Sequence, residues 1–490
     1  MVFTSFEYLF FLWAVYVLYW TLKERRRLRH SFVLVASYWF YAQADWRFTL
    51  LLAASTYVDY LVALKLDEAN TANDDRRRKL YLWASVVWNL GILGFFKYFD
   101  FFVGGFESLF AQLGRDVHLW HLSAAQGGPL DFIVPAGISF YTFQTLSYTI
   151  DVYYRRMEPR RSLLDFAVYV AFFPQLVAGP IVRAKDFLPQ LDKVRALTRD
   201  RISVGVWEIM RGCTKKLLIA DVLGSHLVAL IYRDAPTLER SGGAAVLIAT
   251  YAFVMQLYGD FSGYSDIAIG SARILGFDLK KNFDQPFKAR SLEDVWTRWH
   301  ISMSFWFYFY VFAPLGGNKR GLARTCLNLF ITHVLSGIWH GAGWNYFLWG
   351  LWWAVWMVSV RIVRSFLPDG VLPRKPIFGV LGWLFTYSVV GLSLVFFRAN
   401  DGASVLAAVR AFGDWGGPLP EVLRHLPWQV WAILGLGYAS VLWPEAWNAR
   451  LLAGWKRLPG LAQGAVLATA MILLLGVAPL GRSPFIYFQF

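Results

Sequence analysis

WTRWHISMSFWFYFYVFAPLGGNKRGLARTCLNLFITHVLSGIWHGAGWNYFLWG, residues 296–350, sets two histidines, His300 and His340, inside aromatic-rich runs long enough to enter a bilayer. An ionisable side chain in apolar surroundings costs several kcal/mol unless it is paired or solvated, so each is a candidate for function. His340 is flanked by Gly337 and Gly341, a small-xxx-small pair that lets a second helix or a ligand approach the backbone. Trp339 and Trp344 beside it are expected to wall a pocket, with Asn345 in support. The plainer reading of His340 is a hydrogen-bonded bridge between two packed helices.

Outward from that stretch the chain is equally apolar. Of 490 residues 57% are hydrophobic and 18% aromatic, and the mean hydropathy is +0.41. A soluble globular chain is nearer 45–50% apolar, so the expected class is an all-α polytopic membrane protein. The net charge of +15 sits in short runs between apolar segments, which fits cytoplasmic loops and argues against nucleic acid. Cys213 and Cys326 offer neither a disulfide framework nor a metal-ligand spacing. His118 and His121, three apart in a Gly- and Asp-rich stretch, have no further ligand nearby, so no metal is expected.

An apolar run at 8–22 has Glu7 before it and a basic cluster from Lys23 to Arg29 after it, which reads as an uncleaved first span with an external N-terminus. KLDEANTANDDRRRK at 65–79 then reads as a cytoplasmic loop. FAVYVAFFPQLVAGPIVR carries Pro174, Gly179 and Pro180, which break a helix and are tolerated at membrane depth only where protein or a watery cavity satisfies the backbone. A bent or re-entrant element is expected there. YGDFSGYSDIAIG at 258–270 places Asp260 and Asp266 among aromatics and glycines. They need partners, either nearby Arg273, Lys280 or Lys281, or a substrate. About a dozen membrane segments fit a requirement of roughly 20 apolar residues each, some short and re-entrant.

KYFDFF at 97–102, GISFYTFQTLSYTIDVY at 137–153, FFPQLVAGPI at 172–181, DFSGYSDIAIG at 260–270, WTRWHISMS at 296–304, PLGGNKRG at 314–321, SGIWHGAGWNYFLWG at 336–350 and FIYFQF at 485–490 together resemble the membrane-bound O-acyltransferase family, in its bacterial alginate O-acetyltransferase branch. The resemblance implies one integral-membrane domain over 1–490, with a catalytic core at about 130–400 and C-terminal spans and tail at 427–490. It implies helices around a central waist in the bacterial inner membrane, and it matches the family's invariant histidine to His340 and the branch's upstream histidine to His300. Where that branch usually carries an Arg-Asp pair, this chain has Tyr308 and Phe309.

The activity implied is transfer of acetyl from a cytoplasmic donor, acetyl-CoA, for O-acetylation of an exopolysaccharide such as alginate, with no bound cofactor. D-alanyl transfer, or acylation of peptidoglycan or cellulose, would use the same machinery. A periplasmic or envelope-anchored partner of the SGNH/GDSL type would reach the polysaccharide acceptor. Acyl transfer to a hydroxyl needs a base and donors for the tetrahedral oxyanion. A buried imidazole, kept neutral, suits the first role, so His340 is expected as base. His300 is expected to orient it or to donate to the oxyanion or the thioester carbonyl. An acetyl-histidine at His340 is a chemical alternative. The sequence lacks the G-x-S-x-G of a Ser-His-Asp hydrolase. A polysaccharide-export channel would also carry buried polar groups and broken helices. In the tail, Tyr487 bears the only hydroxyl of six residues, four of them aromatic, and is either part of an interfacial anchor or a transient acyl acceptor.

The charge pattern predicts that a cysteine placed at Asn73, in the 65–79 loop, reacts with an impermeant thiol reagent only after cells are opened. Labelling in intact cells would reverse the orientation and remove the cytoplasmic donor.

Overall fold

The computed structural model describes residues 1–123, 134–177, 179–193, 195–367, 376–416, 420–478 and 485–486. They form helices and connecting loops, with no β-strand among the described residues. Six helices are long and apolar enough to cross a bilayer, and four apolar helices of 10–17 residues accompany them. The described chain groups into two compact units, Met1–Ala196 with Leu275–Leu279, and Leu197–Ile274 with Lys280–Phe490.

The first unit contains α1 (Phe6–Thr21), α2 (Arg26–Ala42), α3 (Trp46–Thr71), α4 (Asp75–Gln112), α5 (Ile138–Tyr153), α6 (Leu163–Ala171), α7 (Phe173–Leu176) and α8 (Ala184–Asp192). The starts follow from local sequence. Ser5, Asp45, Asp74 and Ser162 each cap a helix by accepting a backbone N–H of its first turn. Asp45 therefore divides α2 from α3.

Inside this unit α3, α4 and α5 share a polar knot. Asp59 accepts from Ser85 (2.8 Å) and Asn89 (2.9 Å), and Asn89 accepts from Thr145 (2.9 Å). At the broken stretch the freed backbone is met by side chains: Phe173 N–H donates to Ser37 Oγ (3.1 Å), and the Tyr169 hydroxyl donates to the Val182 carbonyl (2.8 Å). The polar groups freed by the break are thus satisfied within the protein. Towards the loop end, Asp165 binds His30 (2.7 Å) and Arg26 (3.0 Å). The Arg160 guanidinium there holds the Asp192 carboxyl below the ordinary carboxylate range.

The second unit contains α9 (Arg199–Cys213), α10 (Ala229–Ile231), α11 (Ala235–Ile274), α12 (Leu292–Arg298), α13 (Ile301–Phe307), α14 (Gly321–His340), α15 (Trp344–Phe366), α16 (Pro376–Arg398), α17 (Gly402–Ala411), α18 (Glu421–Arg424), α19 (Trp428–Leu442), α20 (Glu445–Arg457) and α21 (Gly460–Val477). α11 is its axis, bent at Gly242, where φ is 74°. The Gly-rich stretch around Asp260 and Asp266 is fully helical within α11. Its glycines serve close packing, because a Cβ at Gly212 would lie 2.5 Å from the Gly263 carbonyl oxygen and one at Gly270 would lie 2.5 Å from that of Gly205.

α14 and α15 make the second close approach. A Cβ at Gly337 would stand 2.5 Å from the Tyr346 carbonyl oxygen and 2.7 Å from Gly350 Cα, and backbone cannot swing aside as a side chain can. Gly337→Ala is therefore expected to lower stability by about 1–3 kcal/mol through overpacking. Gly104→Ala, at a helical glycine with open space around it, should leave stability unchanged or raise it. Thermal unfolding of the purified variants in detergent measures both, and equal midpoints would show that the two helices tolerate separation.

Candidate functional site

His340 is the last residue of α14, and Gly341 leaves the helix in extended conformation. Its ring is enclosed by Trp339 (centroids 5.0 Å), Trp349 (4.8 Å) and Phe397 (5.2 Å). The side chain is 4% exposed. Gly341 admits the Tyr346 ring, whose Cε2 would meet an added Cβ at 2.1 Å.

Trp344 does not wall this pocket. It is 66% exposed and packs on Phe347, because the Gly341–Gly343 break restarts the helical phase at α15. Trp349 takes that place. Asn345 is buried and donates to the Ala399 carbonyl (3.0 Å), fixing the start of α15 to the chain after α16. On α14 the face that ends at His340 also carries His333, Ser336 and Gly337, at the i, i+3, i+4, i+7 spacing of one helix stripe. Sequence reading missed His333. Its signal was the two-turn spacing, and it packs on Trp296 at 5.3 Å.

His300 lies between α12 and α13 in the left-handed region, φ 43° and ψ 52°, a conformation that costs a non-glycine residue about 1–3 kcal/mol and is held only by its surroundings. Asn282 does the holding. Its carbonyl oxygen accepts from Ile301 N–H (2.9 Å), and its Oδ1 accepts from Ser302 N–H (3.2 Å) and Ser302 Oγ (2.9 Å). A backbone N–H only donates, so the amide atom it faces is the oxygen. His300 Nδ1, 3.2 Å from the same Oδ1, then carries the proton. In the neutral ring Nε2 bears the lone pair. That tautomer fits an orienting or proton-accepting role and not donation from Nε2 to an oxyanion. Asn282 was not singled out from sequence, because it lies in a polar, basic loop.

The structure brings the two histidines around one ring: His300 and His340 both pack on Trp339, with centroids 6.1 and 5.0 Å away. Tyr308 and Phe309 fall on a stretch of i to i+5 helix, Tyr308–Phe312, with Tyr308 half exposed and Phe309 against Phe305 (4.0 Å). Asp266 binds Arg211 (2.7 Å) and Lys215 (2.8 Å) from α9 and its continuation, rather than the loop cations expected from sequence, and Arg273 binds Glu208 (2.9 Å). Asp260 binds Lys216, which also reaches Asp221 (2.7 Å). The continuation Thr214–Asp221 is again i to i+5 helix, and Lys215 and Lys216, three and four residues after the α11-facing Gly212, both meet α11. Phe485 and Ile486 are buried against the same part of α11, and Tyr487 lies outside the described residues.

Buried histidines gathered around a tryptophan can move protons in a site sheltered from bulk water, which is the requirement of hydroxyl acylation. The comparisons agree with that chemistry. Residues 154–396 match the membrane-bound O-acyltransferase family. The chain is 36% identical to the probable alginate O-acetylase AlgI of Pseudomonas putida over 100% of both chains. It is 32% identical to the peptidoglycan O-acetyltransferase of Helicobacter pylori over 79% of this chain and 74% of that one. Its identity to the teichoic acid D-alanyltransferase of Bacillus subtilis is 29%, over 48% of this chain and 61% of the other. With six helices able to span a bilayer, two buried histidines and full-length similarity, the chain belongs to the membrane-bound O-acyltransferase family and is a multi-pass membrane O-acyltransferase.

Proposed function

We propose that this enzyme takes acetyl from cytoplasmic acetyl-CoA and passes it across the bacterial inner membrane for O-acetylation of an exopolysaccharide such as alginate. The observation that carries the reading is the pair of buried histidines sharing Trp339 beside the docked C-terminal tail. Full-length similarity to a probable alginate O-acetylase supports the acetyl group and the polymer. D-alanyl and peptidoglycan transfer are the activities named for more distant relatives. Membership of an acyltransferase family replaces the export-channel reading. The broken stretch from α6 to α8 and the shorter apolar helices supply the remaining membrane segments, the former as a re-entrant element.

In the first half-reaction His340 takes the phenol proton of Tyr487 as its oxygen bonds to the thioester carbonyl carbon. The tetrahedral intermediate collapses, the carbon–sulfur bond breaks, and the thiolate leaves with the proton from His340. His300, its proton fixed on Nδ1 by Asn282, orients the reacting groups through Nε2. In the second half a hydroxyl on an SGNH/GDSL-type envelope partner, or on the polymer itself, attacks the acetyl-tyrosine, and the phenol leaves with that hydroxyl's proton. The phosphates of the donor would meet the basic loops on the cytoplasmic face, and no bound cofactor is needed.

His340→Ala should lower acetyl transfer by about 10²–10⁴-fold with normal accumulation in the membrane, the range for removal of a general base. Activity at the wild-type level would take His340 out of the mechanism. A His300→Ala chain should lose a large part of its activity, and full activity would make His300 structural. Tyr487→Phe keeps the ring and any interfacial anchoring but removes the hydroxyl. Polymer acetylation should be lost at normal protein level, whereas unchanged acetylation would leave the tail an anchor only.

A further inference from the structure

The tail is tied to the second unit by a main-chain hydrogen bond as well as by apolar packing. Ile486 N–H donates to Asp260 Oδ2 at 2.9 Å. Phe485 and Ile486 are 1% and 4% exposed, so these two residues are seated within protein. The Phe485 ring packs on Tyr264 (4.7 Å) and Phe261 (5.5 Å), which follow Asp260 on α11. Phe261 in turn meets the His300 ring edge-on at 4.6 Å. One aromatic ring therefore separates the seated tail from the nearer histidine.

The acceptor of that hydrogen bond is itself prepared. Lys216, 2% exposed, binds Asp260 Oδ1 and Asp221 Oδ1 (2.7 Å) and lies over the Tyr264 ring at 5.6 Å. The ammonium takes Oδ1 and leaves Oδ2 to receive the backbone. A hydrogen bond to an ionised acceptor is the stronger kind, and it asks nothing of the side chain at position 486. Consecutive Cα atoms are about 3.8 Å apart, so whatever holds Ile486 also limits the reach of the residue after it.

We infer that Asp260 is a positioning residue, a latch that holds the C-terminal tail at Ile486 on the face of α11 whose Phe261 meets His300. This rests on the proposed acyl relay through Tyr487. A purely structural role, neutralising Lys216, makes a different prediction, because Asp260→Asn and Asp260→Ala both remove the charge while only Asn keeps a carbonyl for the Ile486 N–H.

The test compares full-length purified enzyme and the two variants by hydrogen–deuterium exchange of the C-terminal peptide and by acetyl transfer to polymer. In Asp260→Ala the Ile486 amide should exchange at least about tenfold faster, the loss expected for a charge-assisted hydrogen bond. Transfer should fall with it, and the gain in exchange at Ile486 should exceed any gain in peptides of α9 and α11. Asp260→Asn should retain a substantial share of both. Equal losses in Asn and Ala, an unchanged tail amide in Ala, or a freed tail with full transfer would each overturn the latch. Ile486→Pro removes the donor, together with the isoleucine side chain, and leaves Lys216 paired with Asp260, so it reports even where Asp260→Ala fails to fold. It should lose transfer, and wild-type transfer would overturn the proposal. The relay is judged separately by Tyr487→Phe: full transfer there, with loss in Ile486→Pro and Asp260→Ala, rejects the acetyl-tyrosine and keeps the latch.

Discussion

Lys216 carries its charge into a helix interface where 2% of it meets solvent, and the surroundings of the site follow from how that charge is met. Removing one partner of such a buried pair costs about 3–5 kcal/mol, because the other charge is left uncompensated. Asp260 and Asp221 meet it from α11 and from the Thr214–Asp221 turn. That geometry requires α9 and α11 to approach at backbone distance, which glycines at 205, 212, 263 and 270 permit. A methyl group at those positions would move the lysine away from its carboxylates.

The same economy of space governs the histidines. Gly337 and Gly350 bring α14 against α15, so Trp349 of one helix closes on His340 of the other. His300 reaches Trp339 from a strained turn that Asn282 holds through its main chain and side chain together. Strain of that kind persists where the surrounding contacts over-determine it, and such positions cluster at functional sites. A helix-ending histidine and a left-handed one meet across a single indole.

The sequence made the membrane class and the two histidines legible, because a titratable group within aromatic runs stands out without knowledge of its neighbours. Partners far apart in the chain were not legible. Lys216 and Asp260 meet only because the Thr214–Asp221 stretch packs on α11, and hydropathy carries no trace of that pairing. Trp344 was misplaced for a related reason, since three residues of extended chain at 341–343 reset which side of α15 faces His340. Asn282 was hidden among loop cations.

The central claim is that His340 and the C-terminal tail act together on the acyl group. Mass spectrometry of the C-terminal peptide tests it, after membranes holding the enzyme but no acceptor are exposed to acetyl-CoA on the cytoplasmic side and quenched in acid. The account predicts that the wild-type peptide gains one acetyl group on the Tyr487 hydroxyl and that the His340→Ala peptide gains none. An unmodified wild-type tail from enzyme that acetylates polymer at full rate once acceptor is supplied would contradict it.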